Sequence, residues 1–319
     1  MGHVPDPAPP AVSVIVPARD AAATLPATLA ALRAQAGAPD HEVLVGDNGS
    51  RDATAALAEQ AGARVLRLPR GPGPGAARDA GARAARAPAL AFTDADCAPT
   101  PGWLAAGTAA LRDAGLVQGA VAPDPATSMG PFDRSLAVTA PGLFESASLF
   151  VDREVHARVG GFGCGLEDPD TAPFGEDVLF GCRARRQGIA VAFASDALVH
   201  HAVLPRSARG YIAERRRLGL FCELVRQAPE LRDALCWHRV FLGRRQGEVW
   251  LALAGLAAAA ATRRLTPALA AVPYARGLLA LAHDQQGPTA RLAAVHAAAH
   301  LVGTAALALG SVRTRTLLL

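Results

Sequence analysis

The feature that most limits the possible folds is an alternation that starts at Val12 and runs to Thr93. Short apolar runs at residues 12–16, 42–46, 63–68 and 90–93 are separated by stretches with helical spacing at 25–36, 54–61 and 76–85. The runs are too short for helices and rich in Val, Leu and Ile, so they read as buried strands. Strands joined by helices call for a mostly parallel sheet covered on both faces. Ligands of such sheets collect beyond the carboxyl ends of the strands, where Asp47, Asp94 and Asp96 stand. Pro17 is expected to stop the first strand, and residues 71–75 to form a Gly/Pro loop before the third helix.

The second half is less regular. Residues 146–151 read as a strand, 153–159 as a short helix, Gly160-Gly161-Phe162 as a turn and 167–174 as a polar loop. A helix is expected from Glu176 to Gln187, capped by Gly188, with a further strand over 189–193. Beyond His200 the composition changes. Ten arginines face four acids between Arg206 and Arg245, and from Val249 onward Asp284 is the only acid. These shifts divide the chain into a Pro-rich, disordered lead-in (1–11), an α/β domain (12–205) and an Ala/Leu-rich helical appendage (206–319).

Charge and cysteine usage narrow the class. The net charge is +4, aromatics make up 5% and every basic side chain other than His is Arg. A nucleic-acid binder would concentrate basic and aromatic residues on one face, and no such patch is visible. The five cysteines show no C-x-x-C spacing, and the N-terminus lacks the basic and apolar regions of a secretory signal. Reduced thiols and a cytoplasmic location are the expectation.

Three groups of residues could carry chemistry. Asp94-Ala95-Asp96 directly follows a buried run, so two carboxylates on alternate residues leave a strand end, as oxygen ligands of a hard cation would. The same triplet also serves in ordinary turns. Glu176-Asp177 opens a helix, where acids complement the dipole; such a carboxylate can also take a proton from a hydroxyl. Arg78-Asp79 follows the Gly/Pro loop at a helix start, a favourable place for an anion or simply a connection.

Residues Val14-Ile15-Val16-Pro17-Ala18-Arg19-Asp20 and Val45-Gly46-Asp47-Asn48-Gly49-Ser50-Arg51-Asp52-Ala53-Thr54 strongly resemble the opening of family 2 glycosyltransferases. Ala77-Arg78-Asp79-Ala80-Gly81 is similar to that family's A-R-N-x-G segment, and Phe92-Thr93-Asp94-Ala95-Asp96 to its metal motif. Val159-Gly160-Gly161-Phe162, then Gly175-Glu176-Asp177-Val178 and Arg183, resemble its acceptor-side block. The matches run in family order over residues 12–201.

The resemblance implies a glycosyltransferase-A (Rossmann-like) fold and an inverting transfer from a nucleotide-sugar donor to a glycan or lipid-linked acceptor. Pro17, Ala18, Arg19 and Asp47 would hold the base, Asp94 the ribose side, and Asp96 a divalent metal, Mn2+ or Mg2+, on the diphosphate. Asp177 would be the general base with Glu176 in support, and Arg78 would steady the nucleotide. His200 or His201 would stand near the diphosphate, the sequence not choosing between them. Residues 211–219, with Arg215-Arg216-Arg217, are similar to a helix that closes over the donor. Two residues depart from the pattern: Asp79 replaces the usual Asn, and Asp20 follows Arg19 where Asn is common. Each is expected to add negative charge near the diphosphate.

The helical appendage raises the question of a membrane. Residues 249–262 are uncharged for 14 positions, and 292–312 for 21 with eight alanines and two histidines, against about 20 apolar residues for a span. A helical bundle packed on the α/β domain explains the composition equally well; helices lying against, or dipping into, the anionic inner face of the cell membrane are the expectation, which suits a cell-envelope or lipid-linked acceptor. The alternatives are a sugar nucleotidyltransferase, whose Gly-rich loop after the first strand is missing here, and a degenerate nucleotide-sugar-binding module, which Asp96 and Asp177 argue against.

Overall fold

The computed structural model describes residues 8–71, 73–163, 165–166, 174–285 and 288–319. The expected lead-in over residues 1–7 and most of the polar loop before Glu176 lie outside the described residues. The chain forms two compact units. One extends to Thr127 and resumes over Ser135–Val203; the other takes Ser128–Arg134 and Leu204–Leu319.

The first unit contains, in order, β1 (Val12–Ala18), α1 (Leu25–Arg33), β2 (His41–Asp47), α2 (Thr54–Gln60), β3 (Arg64–Arg67), α3 (Gly73–Ala84), β4 (Ala89–Phe92), β5 (Cys97–Pro99), α4 (Trp103–Leu111), β6 (Leu116–Pro123), β7 (Leu149–Asp152), α5 (Arg153–Val159), α6 (Glu176–Arg186) and β8 (Val191–His201). Eight strands make one sheet in the order β3-β2-β1-β4-β7-β6-β8-β5. β1 pairs in parallel with β2 and β4, and β6 with β8, while β7 runs antiparallel between β4 and β6. The two faces of β1 explain its unbroken burial. Val14 and Val16 pack into one core with Leu25, Leu29, Trp103 and Phe150, and Ile15 into the other with Leu44, Phe92, Phe162 and Phe180. Alternate side chains on a doubly covered strand are all buried.

Pro17 does not end β1. Ile15 O accepts from Thr93 N and Ala18 O accepts from Asn48 N, so alternation turns Pro17's missing donor toward β4. Pairing with β4 has already stopped at Ile15, so no ladder bond is lost. The expected loop at 71–75 is also shorter, because α3 begins at Gly73. A first helical turn has no partners for its N–H groups, so Pro74 fits there. β8 starts later than expected and is much longer, reaching His201 through a register shift on β6 between Gly119 and Ala120.

The second unit contains α7 (Ala208–Glu214), α8 (Leu220–Gln227), α9 (Leu231–Leu235), a two-stranded hairpin of β9 (Cys236–Trp237) and β10 (Phe241–Leu242), α10 (Arg244–Thr262), α11 (Val272–His283) and α12 (Thr289–Thr314). Single 3-10 turns occupy Arg215–Gly219 and Thr266–Ala271. By length and composition α12 is the one helix among the described residues that could cross a membrane.

Candidate active site

The strand ends are organised by short polar side chains bonding local backbone. Asp47, buried at the end of β2, accepts from Ser50 N at 3.1 Å. Asp52 accepts from Thr54 N (3.0 Å) and Ala22 N (3.0 Å), while Thr54 Oγ1 accepts from Ala21 N (2.8 Å). The string from Asp47 to Thr54 thus ties the loop after β1 to the loop after β2. Pro17 and Ala18 are buried at the same edge and Arg19 is exposed. Asn48 Oδ1 is buried there without a partner among the described residues.

Asp20 belongs to this tie. Its carboxylate takes Arg51 N (2.8 Å) and the Arg70 guanidinium (2.8 Å), and Arg70's hydrogen bond holds its pKa below the ordinary value. The expected excess negative charge is therefore neutralised locally. Asp79 is likewise engaged elsewhere. It accepts from Phe162 N (2.9 Å) and Gly163 N (3.1 Å) and lies 3.2 Å from His156 Nε2. Burial works against its charge, but His156 and the two amides outweigh burial and lower its pKa. An Asn offers one acceptor oxygen where Asp offers two, so the departure from the family pattern serves the Gly160-Gly161-Phe162 turn.

Arg78 occupies the centre. It leaves α3 with 4% of its surface exposed, its Nη2 2.5 Å from Asp94 Oδ1 and its Nη1 3.3 Å from Glu176 Oε1. Its guanidinium carbon stands 5.6 Å from the centre of the Phe162 ring. Burial disfavours this cation, yet the fields of Asp94, Glu176 and Asp177 prevail and raise its pKa. One arginine therefore joins the tip of β4 to the first turn of α6.

Glu176 and Asp177 follow Gly175, which caps α6 at φ +74. Asp177 Oδ2 accepts from Ser146 N (3.3 Å) and Ser146 Oγ (3.4 Å), and Oδ1 from Val178 N (2.8 Å). Burial raises the pKa of both carboxyls despite the opposing pull of Arg78; the Asp94 charge adds to both, and Asp177 adds to Glu176. A third carboxylate, Glu145, was not singled out in the sequence. It accepts from Gln118 Nε2 and from Leu143 N (3.3 Å), and burial and the Asp177 charge push its pKa up. Its one sequence signal is its position directly before Ser146.

On the other side of Asp94, the register of β5 on β8 sets His201 opposite Cys97 and His200 opposite Ala98. Ala202 N bonds Asp96 O at 2.8 Å, and His201 Nε2 lies 3.6 Å from Asp96 Oδ2. His201 is buried, whereas His200 is half-buried and adds its field to Asp124. Of the two histidines, His201 is the one beside Asp96. His201 Nδ1 lies 2.7 Å from Ala202 O, the bond of a ring protonated at Nδ1. Nε2 of that ring is the atom turned to the Asp96 carboxylate. Ligand atoms of Asp96, Cys97 and His201 all lie within 4.8 Å of one another. Burial and the two aspartates raise the Cys97 thiol's pKa well above its usual value, so it stays protonated.

Two cavities lie elsewhere on this unit. One of about 580 Å³ opens at the amino ends of β2 and β3, lined by Arg33, His41 and Arg64. The other, about 450 Å³, adjoins Asp79, His156 and Gly160. Neither includes Asp96 or Asp177.

Comparison with known proteins gives this arrangement its family. Residues 13–163 match the model described as Glycosyl transferase family 2. The chain is 30% identical over 213 residues to glycosyltransferase AglE of Haloferax volcanii, covering 61% of this chain and 68% of that protein. A shorter stretch of 86 residues is 44% identical to the uncharacterized glycosyltransferase Rv0539 of Mycobacterium tuberculosis, 27% of this chain and 37% of that one. Among solved structures, mannosyltransferase PcManGT from Pyrobaculum calidifontis, in complex with GDP-Man and Mn2+, has a TM-score of 0.56 at 22% identity, covering 97% of this chain and 88% of its own. S. aureus TarS, in complex with UDP, has a TM-score of 0.50 at 14% identity over 96% and 92%. At such identities these structures speak for the fold, glycosyltransferase-A. The chain belongs to glycosyl transferase family 2 and is a glycosyltransferase.

Proposed function

We propose that this enzyme moves a sugar from a nucleoside-diphosphate donor to an acceptor hydroxyl with inversion, assisted by a divalent cation. The observation that carries the reading is the Arg78 bridge between Asp94 and Glu176, which brings the acids of β4 and α6 into one electrostatic unit. PcManGT, a neighbour in fold, is described with GDP-Man and Mn2+, in keeping with such a donor and metal.

Asp96 and His201 are the residues that would hold the cation: Nε2 and Oδ2 stand 3.6 Å apart, with the Cys97 sulfur in the same cluster. An imidazole ligand favours Mn2+ over Mg2+. When bound, the cation would offset the charge that develops on the departing diphosphate. Asp177 then acts as general base. Ser146 holds one carboxylate oxygen, and a raised pKa makes the group a better proton acceptor. The acceptor O–H passes its proton to Asp177 as the new C–O bond forms at the anomeric carbon. The bond to phosphate breaks on the opposite face, and the nucleoside diphosphate leaves with the electron pair. Arg78 positions Asp94 and Glu176 more than it touches nucleotide, while Pro17, Ala18, Arg19 and Asp47 form the edge that would receive the base.

The acceptor is a glycan or a lipid-linked precursor at the cytoplasmic face of the cell membrane, with residues 12–205 catalytic and 206–319 meeting anionic lipid. The test is transfer from a panel of UDP-, GDP- and dTDP-sugars with Mn2+, with the product's anomeric configuration read by NMR. Inverted product, lost on chelation and restored by Mn2+, is expected. Retained configuration, or full activity after chelation, overturns the mechanism.

A further inference from the structure

We infer that α10, the 3-10 turn Thr266–Ala271 and α11 form an interfacial hairpin that beds its leucines in an anionic lipid surface, while α12, held through its polar face, supports it without crossing. This specifies the membrane contact proposed above and is independent of the chemistry at Asp177.

The unit's two apolar candidates differ in what their faces do. α12 has the length to cross a bilayer, but its inner face carries polar side chains bound to neighbouring helices. His296, 2% exposed, pairs with Tyr211 Oη of α7 at 3.1 Å and with Gln285 Oε1 at 2.8 Å. His300 pairs with Tyr274 Oη of α11 at 3.1 Å, and Thr304 donates to Gln246 Oε1 of α10 at 2.9 Å. The spacing of four residues sets all three on one stripe. Moving α12 into hydrocarbon would strip these partners, each a costly loss.

α12 also exposes Leu301, Leu309 and Val312, but the hairpin carries the larger apolar surface. α10 meets the 3-10 turn closely at Gly255, where a Cβ would stand 2.5 Å from Pro267 O and 2.7 Å from Ala270 Cβ. Outside that seam the hairpin exposes Leu251 (50%), Leu256 (51%), Leu265 (87%), Leu269 (67%) and Leu279 (55%). A soluble hairpin of this length rarely exposes so many large apolar side chains. The charge around them has one sign: residues 249–283 contain no Asp or Glu, but Arg263 and Arg264 at the tip and Arg276 on α11. Leucines with arginines at the polar margin match a layer of acyl chains beneath anionic headgroups. A second copy of the hairpin would oppose arginine to arginine, so a lipid surface is the better complement.

The full chain is tested by co-sedimentation with vesicles of phosphatidylcholine alone or with one third phosphatidylglycerol. Binding to the anionic vesicles alone is expected. L265E/L269E should abolish it with the circular dichroism spectrum and Tm unchanged, because both side chains are already in solvent. R263Q/R264Q should weaken it roughly 30-fold, from about 1 kcal/mol per arginine. Three outcomes overturn the inference: equal binding to neutral vesicles, binding that survives L265E/L269E, or a dimer by light scattering that L265E/L269E splits without any vesicle binding. Donor turnover measured alongside separates failure here from failure of the transferase mechanism.

Discussion

At the scale of single residues, the site is defined by carboxylates in unequal company. Asp177 faces Arg78, three hydrogen-bond donors and a helix start, all favouring its charge, yet burial and the Asp94 charge leave its pKa raised. The sign then follows. A carboxyl whose folded pKa exceeds its unfolded value favours the folded state below about pH 3.8, and this is lost as pH rises through the folded pKa. At neutral pH the charge is therefore a cost to stability, and Asp177→Asn is expected to raise Tm while lowering transfer about 100- to 10,000-fold. Calorimetry beside a kinetic assay reads both, and a stabilised but fully active variant would remove Asp177 from the reaction. The acidic limb of kcat/KM in the wild type should lie above the ordinary aspartate range, read from a pH–rate profile. His201→Ala should lose at least tenfold in Mn2+ affinity, measured by titration calorimetry, while His200→Ala changes little.

Among elements, the turn after α5 depends on an acid from α3. Asp79 takes both amides of Phe162 and Gly163, and Gly161 (φ +66) brings its backbone against the same carboxylate, where a Cβ would stand 2.6 Å from Asp79 Oδ1. Asp79→Ala leaves two amides without their acceptor and is expected to cost about 1–3 kcal/mol in denaturant unfolding. Gly161→Ala combines a clash with a disfavoured backbone region and should cost about as much. Because Phe162 lies against Arg78, both variants should also slow transfer without touching donor or acceptor.

On the scale of the whole molecule, the helical unit has a pH dependence of its own. Burial, then Arg245, His296 and Arg215, lowers the pKa of His300 from 6.5 to about 4. The unfolded chain binds this proton first as pH falls, so the contribution is complete above pH 6.5 and is lost between 6.5 and 4. Because His300 is only half-buried, solvent screening reduces the effect to about 1–2 kcal/mol. Urea unfolding of this unit at pH 7 and pH 5 should show the loss, and His300→Gln should flatten it.

Much of the fold was legible because the first half obeys local rules. Alternating short strands and helices announced a covered parallel sheet with Asp47, Asp94 and Asp96 at its strand ends, while Glu176-Asp177 were read from a helix start and the family resemblance. Strand β5, helix α4 and strand β6 were not read. Cys97–Pro99 owes its extended form to pairing with β8, and the fully buried Trp103 and Leu104 of α4 owe theirs to packing on the sheet. The choice between His200 and His201 and the roles of Asp20, Asp79 and Glu145 likewise came from tertiary structure. Such choices depend on partners 20 to 100 positions away, and residue order sets which groups are present without setting which of them meet. Local pattern determined the elements and the chemistry on offer; strand register and burial decided which carboxylate met which cation.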